Sequence, residues 1–357
     1  MFRLILIALF VSVFTGPQLK AEDESPLEEV KFDPGAFIFD HIADSHEWHL
    51  FTIDGKHYTV PLPIIVYTRD NGLNIFMSSR FEHGHAVYRG FKLETKGPEK
   101  GNIVVASSDG SIDPDAPKPL DMSITKNVAG MFFAAFVMLA IFITIGKRYR
   151  KTPISTPKGI QGLLEPIVIF VKDDIVKPAI GEKKYERYLP YLLTLFFFIW
   201  INNMFGLIPI FPMGANVTGN ISVTAALALT SFLAINLSGN KIYWQHVFNT
   251  PNVPFLLKLP FPIMPIIEIV GLITKPFTLM IRLFANITAG HIITMGFFSL
   301  IFIFAEVSPA FGYGGSVLSV AFGIFITFLE LLVALIQAYV FTLLTSIFIG
   351  AALDDGH

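Results

Sequence analysis

The sequence contains no cysteine among its 357 residues, which excludes disulfide bonds and thiolate metal sites. Charge is also scarce, because Asp, Glu, Lys and Arg make up 15% of the residues, against about 25% in soluble domains. The formal net charge of −2 gives no basis for nucleic-acid binding. Hydrophobic residues are abundant instead, at 53% of the total. This composition predicts a polytopic membrane protein.

Sequence patterns of several other functions are missing as well. We find no Gly-rich phosphate loop of the Walker type, so neither a nucleotide site nor another cofactor is predicted. Histidines are frequent between residues 41 and 85, but their spacing is not that of a metal site, and no metal is predicted. These histidines are His41, His46, His49, His57, His83 and His85.

The amino-terminal part of the chain differs in composition from the rest. Residues 1–21 combine one early basic residue, a short apolar core and a helix-breaking Gly-Pro pair, which predict a secretory signal peptide. Residues 22–120 are polar, and their short β-branched and aromatic runs are separated by Asp54-Gly55 and Asn71-Gly72, which favour hairpin turns. We therefore predict a small β-rich extracytoplasmic domain that ends in a Pro/Asp/Gly/Ser-rich linker.

Residues 121–357 are predicted to form an all-α membrane domain. Five hydrophobic elements follow one another, at about 128–145, 189–210, 221–237, 263–304 and 317–352. The last two exceed the ~20 residues that a perpendicular helix needs to cross a bilayer. We expect both to be strongly tilted, kinked or broken, and Pro276 and Gly290 offer places for a kink or a break.

The distribution of basic residues indicates the orientation. Lys and Arg follow the first and third spans, whereas the loops after the second and fourth have none. The positive-inside rule therefore places the amino terminus outside and the carboxyl terminus in the cytoplasm. The charged segment at about 154–187 is too polar to span, so we expect amphipathic helices on the cytoplasmic face, interrupted at Pro166 and Pro178.

Arg282 lies in the middle of the fourth apolar element. A charge at the bilayer centre costs ~2.5–3.5 kcal/mol on insertion scales, and arginine cannot release its proton. At 100° per residue, Lys275, Thr278 and Asn286 share the helix face of Arg282, whereas His291 faces roughly the opposite side. A polar stripe through an apolar helix indicates function, and a snorkelling arginine near a helix end is the alternative.

The last element carries a second polar pair, Glu330 and Gln337, which lie seven residues apart on one face. Either residue alone is a weak signal, since a membrane glutamine is often only a helix-packing contact. Together with Arg282 and His291 they supply a fixed cation, titratable groups and an amide. This combination favours a proton pathway over a solute-binding pocket.

The segments IRLFANITAGHI and FLELLVALIQAYVFTLLTSIF resemble the two signature segments of subunit a of the F-type ATP synthase. INNMFGLIP, which contains Asn202 and Asn203, and TGNISVTAALALTSF resemble the middle hairpin of that family. The resemblance covers most of the membrane part but not the external domain.

The resemblance implies a stator channel in a bacterial inner membrane that couples proton translocation to ATP synthesis. Its implied partners are the c-ring proteolipids, the subunit b peripheral stalk and the rest of the complex. Arg282 would be the essential stator arginine, Asn286 and Gln337 its polar neighbours, and His291 and Glu330 residues of the aqueous half-channels. Many bacterial members carry Glu at the position of His291 and His at that of Glu330, so this chain has the mitochondrial-type exchange.

Two other classes of protein are compatible with the charged residues. A secondary cation/proton transporter would use Arg282 and Glu330 as substrate counter-ions, but it should show internal repeats, and we find no convincing one. A structural membrane subunit would use the same charges only to fix helix packing. Association with a ring of carboxylate-bearing proteolipids distinguishes the channel from both.

Overall fold

The structure is a computed structural model that describes residues 32–53, 56–95, 97, 99–107, 111–113, 116–151, 158–248 and 263–354. The predicted signal peptide lies outside the described residues. Helix α1 (Pro34–Ile42) comes first and a region of small sheets follows it. The strands are β1 (Glu47–Ile53), β2 (Lys56–Pro61), β3 (Pro63–Thr68), β4 (Gly72–Met77), β5 (Phe91–Leu93), β6 (Ile103–Val105) and β7 (Leu120–Asp121).

The remaining described elements are helical. They are α2 (Lys126–Lys151), α3 (Ile160–Phe170), a π-helical turn (Val171–Val176), α4 (Lys177–Ile180), α5 (Tyr185–Gly206), α6 (Ile221–Ser238), α7 (Lys241–Phe248), α8 (Ile263–Val307) and α9 (Pro309–Leu353). Helices α2, α5, α6, α8 and α9 are long and apolar enough to span a membrane. The predicted fold class, an all-α polytopic membrane protein with a small β-rich amino-terminal region, is therefore confirmed.

The β region consists of three antiparallel sheets, ordered β1-β2, β4-β3-β7 and β5-β6. In β3, Ile64 and Val66 point inward while Tyr67 is exposed, as the alternation of a strand requires. The inward residues join Phe76, Phe81 and other apolar side chains in a small core.

The two predicted hairpins both join paired strands. Ile53 of β1 pairs with Lys56 of β2, and the predicted turn residues Asp54-Gly55 lie outside the described part of the chain. In the second hairpin Thr68 pairs with Gly72, whose φ of 64° is one that glycine adopts readily.

A buried histidine ties the first and last parts of the β region together. His46 Nε2 lies 2.7 Å from Asp121 Oδ2, and Ser123 N donates to Asp121 Oδ1 at 2.8 Å. His83 makes a similar contact with Glu47, at 2.6 Å. His46 and His83 thus pair with carboxylates. No group of residues that could hold a metal occurs among the described residues.

We predict that Asp121→Asn loosens strands β3 and β7. Burial raises the pKa of Asp121, but hydrogen bonds from His46 and Ser123 outweigh this effect and hold the pKa below its ordinary value. A depressed carboxyl pKa stabilises the fold above the unfolded pKa of ~3.9, and this contribution is lost as the pH falls through the folded pKa. Removing it should speed amide exchange in residues 63–68 about fivefold at pH 7, as expected for ~1 kcal/mol.

Hydrogen–deuterium exchange of the purified protein measures this difference at each pH. Asp70→Asn, in the exposed turn between β3 and β4, is the matched control and should leave the exchange unchanged. Equal exchange of wild type and Asp121→Asn at pH 7 would contradict the prediction. At a pH below the folded pKa of Asp121 the two proteins should converge.

The helix boundaries differ most from prediction at the turn between the last two helices. The Pro/Gly-rich stretch after Glu306 was expected to be a loop, and α9 was expected to begin near residue 317. Instead, only Ser308 separates α8 from α9. Ser308 caps α9 by accepting a hydrogen bond from Phe311 N at 3.3 Å, and Pro309 occupies the first turn, where its missing N–H is harmless.

The glycines of this stretch allow the two helices to pack closely. A Cβ at Gly312 would lie 3.0 Å from Ala305, and one at Gly315 would collide with Phe304. The glycines therefore indicate helix contact, and reading them as loop residues was wrong. Smaller differences occur elsewhere, since α2 is longer than 128–145 and α5 ends at Gly206 rather than at 210.

Helices α8 and α9 are each 45 residues long. At 1.5 Å per residue each measures about 67 Å, more than twice the ~30 Å hydrocarbon thickness. Both are continuous, and α8 passes through Pro276 and Gly290, so the helix is not broken at those residues. Tilting remains the way in which helices of this length fit a bilayer.

The charged segment between α2 and α5 is helical from Ile160 to Ile180. The predicted interruptions at Pro166 and Pro178 are wrong, because the helix continues through both residues. A π-helical turn precedes Pro178, and its wider ring, in which Lys177 N donates to Lys172 O, accommodates a residue that cannot donate. The segment packs against the end of α9, where Gly350 contacts Ala179 O.

Candidate functional site

Helices α8 and α9 form an antiparallel pair. Going from the Ser308 turn toward the opposite end, Gly323 packs on Phe298, Gly290 on Glu330, and Lys275 Nζ lies 5.1 Å from the Phe348 ring centre. Arg282 falls between the last two contacts, and this register places it level with residues 337–341 of α9. The two signature segments therefore face each other along their length.

A small cavity lies where α5 meets this pair. It measures about 10 Å³, close to the minimum for one water molecule. Four of the residues predicted from the sequence line it. The rest of the lining consists of small and apolar residues. The lining residues are Asn203, Leu207, Asn286, Ile287, Gly290, His291, Glu330, Val333 and Ala334.

Glu330 reaches the cavity because Gly290 has no side chain. A Cβ at Gly290 would lie 2.5 Å from Glu330 Oε1 and 3.1 Å from its Cγ. The same carboxyl oxygen accepts a hydrogen bond from Thr294 Oγ1 at 3.2 Å. Gly290 and Thr294 lie one helical turn apart on α8, so that helix supplies both the space and a donor for the carboxyl group.

His291 lines the cavity from the side of α5. Its Nε2 lies 3.8 Å from the position that a Cβ would occupy at Gly206. Asn203, one turn earlier on α5, is buried and donates to Ala334 O at 3.3 Å, while its Oδ1 accepts a hydrogen bond from Thr218 Oγ1. The imidazole, the carboxyl and a fixed amide therefore meet at one water-sized space.

Arg282 lies outside this cavity and is half-buried. None of the ion pairs or hydrogen bonds between described residues includes its guanidinium. Glu330, the titratable acid of α9, lines the cavity with His291 instead. As helical geometry predicted, Arg282 and His291 have different surroundings, but Asn286, which was predicted to share the face of Arg282, lines the cavity with His291.

Three other predicted residues lie outside the cavity, namely Gln337, Thr278 and Asn202. Gln337 is buried on α9, near the level of Arg282, and does not line the cavity. Thr278 donates to Thr274 O at 2.8 Å, within its own helix. Asn202 likewise donates to Phe198 O at 2.7 Å, so of the two adjacent asparagines only Asn203 reaches the cavity.

Sequence reasoning missed Thr294, Gly290 as a packing residue, Gly206 and Thr218. Gly290 was recognised only as a place for a break, although its spacing of one turn from Thr294 is visible in the sequence. Thr218 lies in the loop between α5 and α6 and begins the segment TGNISVTAALALTSF, which was quoted only for its resemblance to the family and with no role for Thr218. Its burial, with 1% of its surface exposed, is a tertiary property.

The arrangement is suited to moving a proton between a carboxyl and an imidazole through one intervening water. Imidazole and carboxyl groups are the commonest proton donors and acceptors in proteins, and the amide of Asn203 can orient the water. A permanently charged guanidinium, that of Arg282, lies on α8 outside the cavity. The site therefore combines a titratable pair with a separate fixed cation.

Comparisons with known proteins agree with this geometry. The family described as ATP synthase A chain matches residues 128–350, which include every residue of the site. A family described only as a domain of unknown function matches residues 37–122, the α1 and β region.

Individual relatives carry the same description. The chain is 43% identical to ATP synthase subunit a of Chloroherpeton thalassium, over 66% of this chain and 70% of that protein. It is 44% identical to ATP synthase subunit a 2 of Chlorobaculum tepidum, over 66% of each chain. For ATP synthase subunit a of Anaeromyxobacter dehalogenans the identity is 41%, over 67% of this chain and 61% of the relative.

Proposed function

The chain belongs to the family of the ATP synthase A chain, and on this premise we propose that Arg282 is the stator cation past which the carboxylates of a proteolipid ring move. As a member of that family it is the proton-translocating subunit in the membrane sector of an ATP synthase. The membership does not favour the secondary transporter. The roles of individual residues, the partners and the orientation are our proposal.

The observation that carries the proposal is the unpaired guanidinium. A charge within an apolar span is normally paired with another side chain or with backbone carbonyls. Arg282 has no such partner among the described residues, yet it is half-buried on a helix that crosses the membrane. A carboxylate on another subunit, present for part of each cycle, supplies the missing partner.

The charges then give the mechanism. A ring carboxyl is neutral while it faces lipid, because ionisation there is unfavourable. Beside Arg282 the ionised form is favoured, so the carboxyl releases its proton into one half-channel and reloads from the other. The fixed cation repels a proton that would cross directly between the half-channels. Passage therefore requires rotation, and each charge moved through 100 mV supplies ~2.3 kcal/mol for ATP synthesis elsewhere in the complex.

One half-channel in this scheme contains the four polar residues that line the common cavity, which are His291, Glu330, Asn203 and Asn286. Gln337 acts at the level of Arg282, where a buried amide can help to orient the guanidinium or the passing carboxyl. Lys275 extends the polar stripe toward the other end of α8, where it packs over Phe348. The ion that moves in this scheme is the proton.

We assign the β region to the outer face of a bacterial inner membrane and the carboxyl terminus to the cytoplasm. The basic cluster Arg148, Arg150 and Lys151 ends α2 on the side opposite the β region. The helical segment 160–180 lies on that same side, because Arg148 Nη1 donates to Lys158 O at 3.3 Å, just before the segment begins. The positive-inside rule makes this side cytoplasmic, which also suits contact with a subunit b stalk.

Site-directed cross-linking tests the assignment of the ring. Ala285, exposed and less than one turn from Arg282, is changed to cysteine in this cysteine-free chain. A second cysteine is placed beside the membrane carboxylate of the co-purified two-helix proteolipid. We expect a disulfide between the two subunits on mild oxidation, because the proposal brings that carboxylate to Arg282.

Phe136→Cys is the matched control, since Phe136 is 69% exposed on α2, which the proposal does not assign to the ring. It should give no disulfide with the proteolipid. Failure of Ala285→Cys to cross-link, or equal cross-linking of both variants, would overturn the proposed position of the ring. Purification of the chain without any proteolipid would overturn the proposed partner.

A further inference from the structure

The β region is fixed to one end of the helix bundle by contacts from several elements. Phe37 of α1 lies 6.2 Å from Phe302 of α8, measured between ring centres. Trp48 of β1 is buried against the loop between α5 and α6, with its ring centre 5.2 Å from that of Phe211. These contacts hold the region directly over the loop that leads to the cavity.

Asp44, between α1 and β1, makes the polar contacts of this interface. Its carboxylate accepts hydrogen bonds from Thr125 Oγ1 at 2.8 Å and from Asn127 N at 3.0 Å, at the start of α2. It also accepts from Asn220 Nδ2 at 3.5 Å, at the start of α6. A single carboxylate of the β region thus joins two membrane helices.

Buried polar side chains continue from Asp44 toward the cavity. Asn127 is 2% exposed and Asn216 is 6% exposed, and Asn127 Oδ1 and Asn216 Nδ2 have no partner among the described residues. Thr218, in the same loop as Asn216, donates to Asn203, which lines the cavity with His291 and Glu330. Unpartnered buried amides are normally satisfied by water, so this line of residues indicates a hydrated path.

We propose that the β region forms the outer mouth of the proton path, and that Asp44 draws cations into it. The path runs from Asp44 along Asn127, Asn216 and Thr218 to Asn203 and the cavity. This inference rests on the proposed function and deepens it, since it gives a role to the region that the ATP synthase A chain family does not cover. In this proposal the negative charge of Asp44 attracts cations to the mouth of the path, and Asp44 does not contact the ring.

Among the described residues, Lys126 is a cationic neighbour of Asp44, and its positive charge repels the cations that Asp44 attracts. Lys126 follows Thr125 at the start of α2, and its Nζ donates to His41 O at 3.4 Å. Removal of each charge should therefore change the local concentration of cations in opposite directions. An interface in which Asp44 only joins the helices would show no such dependence on the sign of the charge.

Thiol reactivity in the intact ATP synthase tests this inference, because the chain itself has no cysteine. Thr218→Cys places a thiol on the path, and Ala228→Cys places one at a similarly buried position within α6. Silver ion and the neutral reagent methyl methanethiosulfonate are added to the outer side of right-side-out vesicles. We expect both reagents to modify Thr218→Cys at least about tenfold faster than Ala228→Cys, because only the former meets water.

The charge dependence is measured in the Thr218→Cys background. Asp44→Asn should slow the silver reaction about threefold to fivefold and leave the neutral reagent unaffected, as expected for the loss of one nearby charge. Lys126→Gln should speed the silver reaction. Equal effects of Asp44→Asn on both reagents, or no reaction at Thr218→Cys, would overturn the inference.

ATP-driven proton pumping, recorded in inverted vesicles prepared from the same cells, distinguishes failure of this inference from failure of the proposed function. Normal pumping with an unreactive Thr218→Cys overturns the mouth beneath the β region but leaves the proposed function intact. Absence of pumping in the wild-type vesicles would contradict the proposed function itself.

Discussion

Arg282→Ala should abolish ATP synthesis driven by a proton gradient while the complex still assembles. Without the guanidinium, a ring carboxyl that enters the stator has no fixed cation to favour its ionised form. The missing stabilisation, ~2.5–3.5 kcal/mol for a charge in the membrane, corresponds to about a hundredfold slower release of the proton. ATP synthesis by inverted vesicles after an imposed pH and potential jump measures the effect.

Two variants separate the role of the cation from that of the side chain. Arg282→Lys keeps a positive charge but lacks the planar fork and can lose its proton in an apolar site, so an intermediate rate is expected. Arg187→Ala removes an arginine of α5 that packs over Tyr188 at the end of the helix, and it should change the rate little. Coupled synthesis by Arg282→Ala at the wild-type rate would refute the central role of this residue.

Arg282 could be recognised from the sequence because it is a permanent charge in a predominantly apolar stretch. Local helix geometry was enough to separate Arg282 from His291, since their angular relation depends only on the spacing of residues along α8. The same arithmetic placed Glu330 and Gln337 on one face of α9. A single helix could thus be interpreted without knowledge of its neighbours.

The cavity could not be derived in this way, because residues from three distant parts of the chain build it. Asn203, His291 and Glu330 meet only after α5 has packed on the α8–α9 pair. Gly206 and Gly290 permit that packing, and a glycine in a sequence does not say which side chain will occupy the space beside it. The close contacts at Gly312 and Gly315 show the same ambiguity, since a glycine-rich stretch suits both a loop and a tight helix contact.

The role of the β region was the least accessible to sequence reasoning. Its strands and hairpins follow from alternation and turn residues, which are local properties. Asp44 carries no such signal, as it is one carboxylate among several in a polar region. Its importance comes from hydrogen bonds to Thr125, Asn127 and Asn220, which lie far away in the sequence.

Substitution of Glu330 or His291 should strongly reduce the rate of ATP-driven proton pumping. Glu330→Gln removes the carboxyl that accepts from Thr294 and should slow ATP-driven proton pumping by at least about tenfold, within the range of one general acid–base group. His291→Glu alone places two carboxyl groups at one cavity, where like charges disfavour each other, and a comparable loss is expected. Quenching of a pH-sensitive dye in inverted vesicles measures both rates.

The double variant His291→Glu with Glu330→His should pump several times faster than either single variant. Both positions line a cavity of about 10 Å³, so a carboxyl and an imidazole can share one water whichever helix carries each group. His291→Glu with Glu330→Gln is the matched control, because it restores a carboxyl at the cavity without an imidazole, and it should recover nothing. A double variant no faster than the single ones would mean that the two groups serve separate waters, and the common cavity would then be a packing defect rather than a step in the path.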